Sequence, residues 1–149
     1  MEPHFLELEI SECLLTGDMS RTLRIIQALK LMGIRIAVDD FGTGFATLTT
    51  LERFPLDTIK IDRSFVRDIT SSDGLAGAVI SMGKALSLTV VAQGVETHEQ
   101  AEYLRQHACD ELQGFYFKRP LPSEQFSQLL LEQKAGQTGR HHPPLPKVG

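Results

Sequence analysis

The feature that most constrains this chain is its alternation of short, β-rich apolar runs with longer segments of helical period. Phe5 to Ile10 reads as a strand, with Phe5, Leu6, Leu8 and Ile10 apolar. Ser20 to Met32 reads as a helix with Ile25, Ile26, Leu29 and Met32 on one face. Ile34 to Val38 is the next strand and Phe45 to Arg53 a short helix. Thr58 to Ile61 is a short strand introduced by Pro55-Leu56-Asp57. Gly74 to Leu86 is helical, because Leu75, Val79, Met82 and Leu86 recur at steps of three or four. Leu88 to Ala92 is a β-branched strand. Thr97-His98-Glu99-Gln100 fits a capping box that opens a helix to Gln106. Leu112 to Phe117 is the last strand, and Ser123 caps a final helix carrying Phe126, Leu129 and Leu130. Strands separated by helices pair in parallel, so the expected fold is α/β, with five parallel strands in an open sheet or in part of a barrel.

The length of 149 residues suits one core and not two. One domain is expected over residues 1–133. The remaining stretch, 134–149, holds Gly136, Gly139, Pro143, Pro144 and Pro146 without periodicity and is expected to be a disordered tail. His141 and His142 within it read as solvated. Hydrophobic residues at 42% and charged residues at 23% are ordinary for a globular domain. No apolar run reaches the length of a membrane span, and Met1 to Leu6 lacks the basic start and apolar core of a signal peptide. A net charge of −4 speaks against a DNA-binding surface. Cys13 and Cys109 make no disulfide framework, which points to a reducing, cytoplasmic setting. Each reads as a buried small apolar residue and not as a nucleophile.

The strand Ile34 to Val38 runs directly into Asp39-Asp40-Phe41-Gly42-Thr43-Gly44. Adjacent carboxylates raise each other's pKa and repel unless a cation lies between them. A divalent metal with oxygen ligands, Mg²⁺ or Mn²⁺, explains them cheaply; a solvated strand-end turn is the plainer alternative. The other strand ends help decide. In parallel α/β folds, chemistry collects at the carboxyl ends of the strands. The first strand carries Glu9, with Glu12 just beyond; the third delivers Lys60 and Asp62; the fourth delivers Gln93 and Glu96. The fifth is less tidy, since Glu111 and Gln113 fall at its start. A purely structural sheet has no need of acids, a lysine and amides in these places.

Five ordered segments carry a resemblance: Leu6-Glu7-Leu8-Glu9-Ile10-Ser11-Glu12, Asp39-Asp40-Phe41-Gly42-Thr43-Gly44-Phe45, Leu56-Asp57-Thr58-Ile59-Lys60-Ile61-Asp62-Arg63-Ser64-Phe65-Val66, Val90-Val91-Ala92-Gln93-Gly94-Val95-Glu96-Thr97 and Cys109-Asp110-Glu111-Leu112-Gln113-Gly114-Phe115-Tyr116-Phe117. Together they resemble the successive motifs of the EAL domain, a bacterial signalling family that hydrolyses cyclic di-GMP to linear pGpG. The resemblance covers about Phe5 to Leu131 and implies a (β/α)8 TIM-type barrel with a two-metal site. It places Glu9, Asp39 and Asp40 on metal ligands and Glu12 on the glutamate that holds the loop after Asp40. Lys60 falls on the lysine that orients substrate and water, Glu96 on a second site glutamate and Gln113 on the site glutamine. It also implies cyclic di-GMP as ligand, an upstream sensory or GGDEF domain, and a homodimer contact through the Phe45 to Arg53 helix.

Two departures stand out. Position 93 is Gln where the family has the glutamate regarded as its general base, and an amide cannot accept the water's proton. The motifs present are those of the C-terminal portion of the domain, and the strand with the Glu-Ala-Leu signature is not among them. A partial barrel with an incomplete metal site is therefore expected. Its alternative roles are a degenerate receptor or interaction module that does not hydrolyse, or an inactive truncated remnant.

Overall fold

The computed structural model describes residues 2–44, 46–69 and 74–136, with side chains through residue 132. After a 3-10 turn at Pro3–Phe5, the elements follow in the order β1 (Glu7–Ser11), α1 (Cys13–Thr16), α2 (Met19–Leu31), β2 (Arg35–Phe41), α3 (Leu48–Glu52), β3 (Thr58–Ile61), α4 (Arg63–Arg67), α5 (Leu75–Ala85), β4 (Thr89–Gln93), α6 (His98–Gln106), β5 (Glu111–Gln113) and α7 (Ser123–Gly136). The chain divides into one unit ending at Lys118 and a second beginning at Arg119.

In the first unit, five strands pair in parallel in the order β1-β2-β3-β4-β5. Strand order never reverses, so the sheet is wound as in a barrel and not doubly wound around a switch point. The register places Leu8 beside Ile36, Val38 beside Ile59 and Ile59 beside Val90. On this face Ile36, Val38, Ile59, Ile61, Val90 and Ala92 are completely buried. They pack with Leu15, Ile26, Leu51 and Phe54 at one end of the sheet and with Val66, Ile80 and Leu104 at the other. Side chains alternate across a strand, so the opposite face carries Glu7, Glu9, Arg35, Asp39, Thr58, Lys60, Gln93, Glu111 and Gln113. One face is an apolar floor for helices, and the other holds the chemistry.

Aspartates preceding two strands fix the register from below. The Asp57 carboxylate accepts the Ile36 N–H at 2.8 Å and pairs with Lys30 Nζ at 2.5 Å. The Asp110 carboxylate accepts the Val90 N–H at 2.8 Å.

Several expectations need correction. The first strand begins at Glu7, because Pro3 opens a 3-10 turn that ends at Phe5 and leaves Phe5 exposed. The second strand continues past Val38 to Phe41. The last strand stops at Gln113, which puts Gln113 at its end and not at its start. A Cβ on Gly114 would lie 2.1 Å from Val95 O, so the chain seats itself against the Val95 backbone there and turns. Ile25 and Met32 are exposed, and the buried stripe of α2 is centred on Ile26. In α5, Ala76, Gly77, Ile80 and Gly83 face inward while Leu75 is exposed. Cys13 is exposed, contrary to its reading as a core residue, and Cys109 is half-buried. Helices α1 and α4 are too short to show a period in the sequence. The short helix expected from Phe45 to Arg53 is Leu48–Glu52, opened by the Thr47 side chain, and Phe45 lies outside the described residues.

The second unit contains α7, which begins at Ser123 itself, so Ser123 is its first residue and not its cap. Its backbone extends to Gly136; the expected disorder of the tail falls, from 137 onward, outside the described residues.

Candidate active site

The polar side chains at the strand ends are assembled by local backbone devices. β2 takes three steps from Val38 to Phe41 where β3 takes two from Ile59 to Ile61, so β2 bulges at Asp39-Asp40. Asp40 adopts φ +51°, a left-handed conformation that aspartate tolerates better than bulky residues do. In a regular strand two adjacent side chains point to opposite faces. The bulge re-aims one of them, and Asp40 comes to stand near both Asp39 and Asp62.

Asp62 ends β3 and caps α4, accepting the Ser64 N–H at 2.9 Å and the Ser64 hydroxyl. Desolvation lifts the Asp40 carboxyl above the usual carboxylate range, the charges of Asp39 and Asp62 push the same way, and Arg63 pulls it partly back. Desolvation alone would lift Asp62 too. The Ser64 hydroxyl, the Ser64 and Arg63 amides and the Arg63 charge outweigh it and hold Asp62 below the usual range.

Glu9 of β1 forms an ion pair with Lys60 of β3, reaching across β2. The Gln93 amide, at the end of β4, donates to Asp39 Oδ1 at 3.0 Å. These contacts join residues 51 and 54 positions apart in the chain.

Glu12 is 3% exposed and touches none of these groups; its carboxylate faces the loop after β2 instead. Oε2 accepts the N–H of Gly42 at 3.1 Å and of Gly44 at 2.9 Å, and Oε1 accepts that of Ala46 at 2.7 Å. A Cβ on Gly44 would lie 3.0–3.2 Å from this carboxylate, so glycine is what lets the backbone come so close. The loop after β4 is held by the capping box of α6: Gln100 Oε1 accepts the N–H of Glu96 at 2.8 Å and of Thr97 at 3.1 Å.

The structure thus brings together Glu9 with Lys60, Asp39 with Gln93, and Asp40 with Asp62. Glu96 and Gln113 sit on the same rim with exposed side chains, and no side-chain hydrogen bond ties them to the other site residues among the described residues. Asp62 joins the site as a further acid, and its spacing two residues after Lys60 is the sequence signal for it. The donors are hard carboxylate oxygens, which suit Mg²⁺ or Mn²⁺, and Asp40, raised by desolvation and then by the charges of Asp39 and Asp62, is a carboxyl whose ionised form a cation would favour. Yet among the described residues no three His, Cys, Asp or Glu stand close enough to enclose a metal. The chemistry fits a divalent cation; the arrangement is not closed around one.

The comparisons place this rim in a class of signalling domains. The family model described as EAL domain matches residues 1–120, and the chain belongs to that family. Its five strands are part of the (β/α)8 TIM-type barrel of EAL domains. The PaMucR phosphodiesterase, solved as a c-di-GMP complex, superposes with a TM-score of 0.81 at 40% identity over 85% of this chain and 52% of that one. Klebsiella pneumoniae BlrP1, solved with manganese and c-di-GMP, gives a TM-score of 0.75 at 35% identity over 80% of this chain and 31% of its own. The cyclic di-GMP phosphodiesterase NbdA of Pseudomonas aeruginosa is 43% identical over 129 residues, 85% of this chain. The chain spans 16–19% of the length of the curated relatives it matches.

Proposed function

We propose that this chain contributes one rim of a metal-dependent site that binds cyclic di-GMP and opens it to linear pGpG, and that Gln93 makes the hydrolytic step slow. The observation that carries this reading is the gathering of Glu9, Asp39, Lys60, Gln93 and Gln113 at the carboxyl ends of five consecutive parallel strands, on the face opposite the helices. The c-di-GMP complex of PaMucR and the phosphodiesterase name of NbdA support the choice of ligand.

Glu9, Asp39 and Asp40 would hold Mg²⁺ or Mn²⁺, with Asp62 close enough to Asp40 to share in it. Divalent ions bound there would neutralise the phosphodiester and acidify an attacking water. Lys60, freed from Glu9, would balance negative charge developing on the phosphate oxygens. Glu96 and Gln113 would hydrogen-bond the ligand or its water from the outer strands. Glu12 acts at one remove, by fixing the loop behind Asp40. Gln93 can donate a hydrogen bond through its amide but cannot take a proton from water.

A second reading, a receptor that binds the nucleotide without hydrolysis, is favoured by the Gln93 amide being committed to Asp39. One experiment separates them. In a protein carrying the complete domain around this chain, at saturating Mn²⁺, Gln93→Glu is expected to raise the rate of pGpG formation at least about tenfold, a cautious share of what a general base contributes, with little change in cyclic di-GMP affinity. Binding by both forms with turnover by neither would establish the receptor. Equal turnover by both would show that another group serves as base.

The relatives also bear on context. MucR is named a bifunctional diguanylate cyclase/cyclic di-GMP phosphodiesterase, which supports a GGDEF or sensory partner domain for this chain. A cytoplasmic location agrees with this role, and no described helix is long and apolar enough to cross a membrane. Homodimerisation through Leu48–Glu52 and its neighbours belongs to the same proposal.

A further inference from the structure

We infer that Gln93 is an internal competitor for the metal: its amide occupies the position on Asp39 that a divalent cation would take, and so weakens metal binding at this rim. The inference rests on the reading of Asp39 as a cation ligand given above. Gln93 closes β4 and sits beside Gln113 in register, while Asp39 stands two strands away on β2; the amide spans β3 to reach Oδ1 at 3.0 Å. The orientation of this amide is fixed by chemistry. A carboxylate only accepts, so the Gln93 NH₂ and not its carbonyl must face Asp39.

Glutamate at position 93 would place a second carboxylate there, an arrangement that is tolerable only with a cation between the two. Glutamine removes that requirement and satisfies Asp39 without any ion. Lys60 does the same for Glu9, across β2. Two of the three proposed metal ligands are thereby engaged by groups of this chain. A cation must displace both partners to enter, and the amide is the partner that sits on Asp39 itself.

Losing a hydrogen bond to a charged group shifts an equilibrium by roughly ten- to a hundredfold when buried and by less at an open rim. The test is Mn²⁺ titration, by calorimetry, of a protein carrying the complete domain around this chain, paired with thermal unfolding in EDTA and in saturating Mn²⁺. Gln93→Met keeps length and bulk but removes the donor. It is expected to bind Mn²⁺ about three- to tenfold tighter than the unaltered chain and to unfold at a lower temperature in EDTA. Gln93→Glu is expected to bind tighter still, with the largest rise in unfolding temperature on adding Mn²⁺. If Gln93→Met binds Mn²⁺ no tighter than the unaltered chain, the competition is refuted even though a metal site exists.

Asp39→Asn in the Gln93→Met background separates the two layers of the argument. Loss of Mn²⁺ binding confirms Asp39 as a ligand. Binding that survives Asp39→Asn unchanged, or no Mn²⁺ binding by any variant, removes the metal reading and the competition with it.

Discussion

Asp40 combines a left-handed backbone with a carboxyl whose proton is held more tightly than usual. The sign of its effect on stability follows from linkage. A carboxyl with a raised folded-state pKa binds more protons in the folded than in the unfolded chain, so stability falls as pH rises from the ordinary carboxylate range through the raised value. Asp40→Asn keeps the backbone preference and removes the titration. In EDTA, its unfolding temperature is expected to gain on that of the unaltered chain from acid to neutral pH; a difference that stays constant with pH would contradict the raised carboxyl of Asp40. The cysteines give a second check at this scale. Burial raises the Cys109 thiol, and Asp110 raises it further against hydrogen bonds that pull the other way. Cys13 lies on the surface. Because the thiolate is the reactive form, a disulfide reagent at mildly alkaline pH should label one thiol per folded chain quickly, at Cys13, and Cys109 only slowly or on unfolding. Two equally fast thiols would show that Cys109 is more open than the geometry allows.

The elements show what could be read in the sequence and what could not. Strands β3 and β4 and helix α6 were legible because short apolar runs and a capping box are local signals, and Thr97 and Gln100 do form that box. The bulge in β2 was not, because it depends on the register with β3, a property of two strands. In α5, Val79, Met82 and Leu86 pack against the core as their spacing predicts, but Leu75 does not, for a related reason. Leu75 and Ala76 compete for the core, and small residues face inward because the helix packs closely on its neighbours: a Cβ on Gly83 would meet Val90 Cγ2 of the sheet at 2.3 Å, and one on Gly77 would meet the His107 ring at the end of α6 at 2.8 Å. Within the candidate site, the types and order of the residues were readable. The pairing of Gln93 with Asp39 and of Lys60 with Glu9 was not, since both join distant strands. The loop after β2 offers the prediction proper to this scale. Glu12 satisfies three backbone N–H groups with its two oxygens. Glu12→Gln turns one acceptor into a donor facing donors, and an unsatisfied buried polar group costs about 1–3 kcal/mol. Urea unfolding should show a loss of that order, together with faster proteolysis between Gly42 and Ala46. An unchanged midpoint would mean that the loop does not depend on this carboxylate.

At the scale of the molecule, stability and chemistry are distributed unevenly across the sheet. β3 is paired on both sides, and Thr58, Ile59 and Ile61 are at most 1% exposed; β1 and β5 each have one strand neighbour in the described sheet. Backbone groups at an edge open with little free energy, whereas those in the centre exchange only with extensive unfolding. The site straddles this gradient: Lys60 stands on the central strand, Asp39 and Gln93 on its neighbours, and Glu9 and Gln113 on the outermost two. Within the described sheet, the centre of the rim is therefore expected to open last. Amide hydrogen exchange in EDTA should therefore protect Ile59 most strongly, Val38 and Val90 next, and Ile10 and Leu112 least. Mn²⁺ together with cyclic di-GMP, if held by residues from all five strands, should raise protection at Ile10 and Leu112 by a larger factor than at Ile59, because binding can stabilise only what was opening beforehand. Protection at Ile10 and Leu112 already equal to that at Ile59 without ligand would show that the two outer strands are as firmly held as the centre, and that the rim is rigid along its whole length.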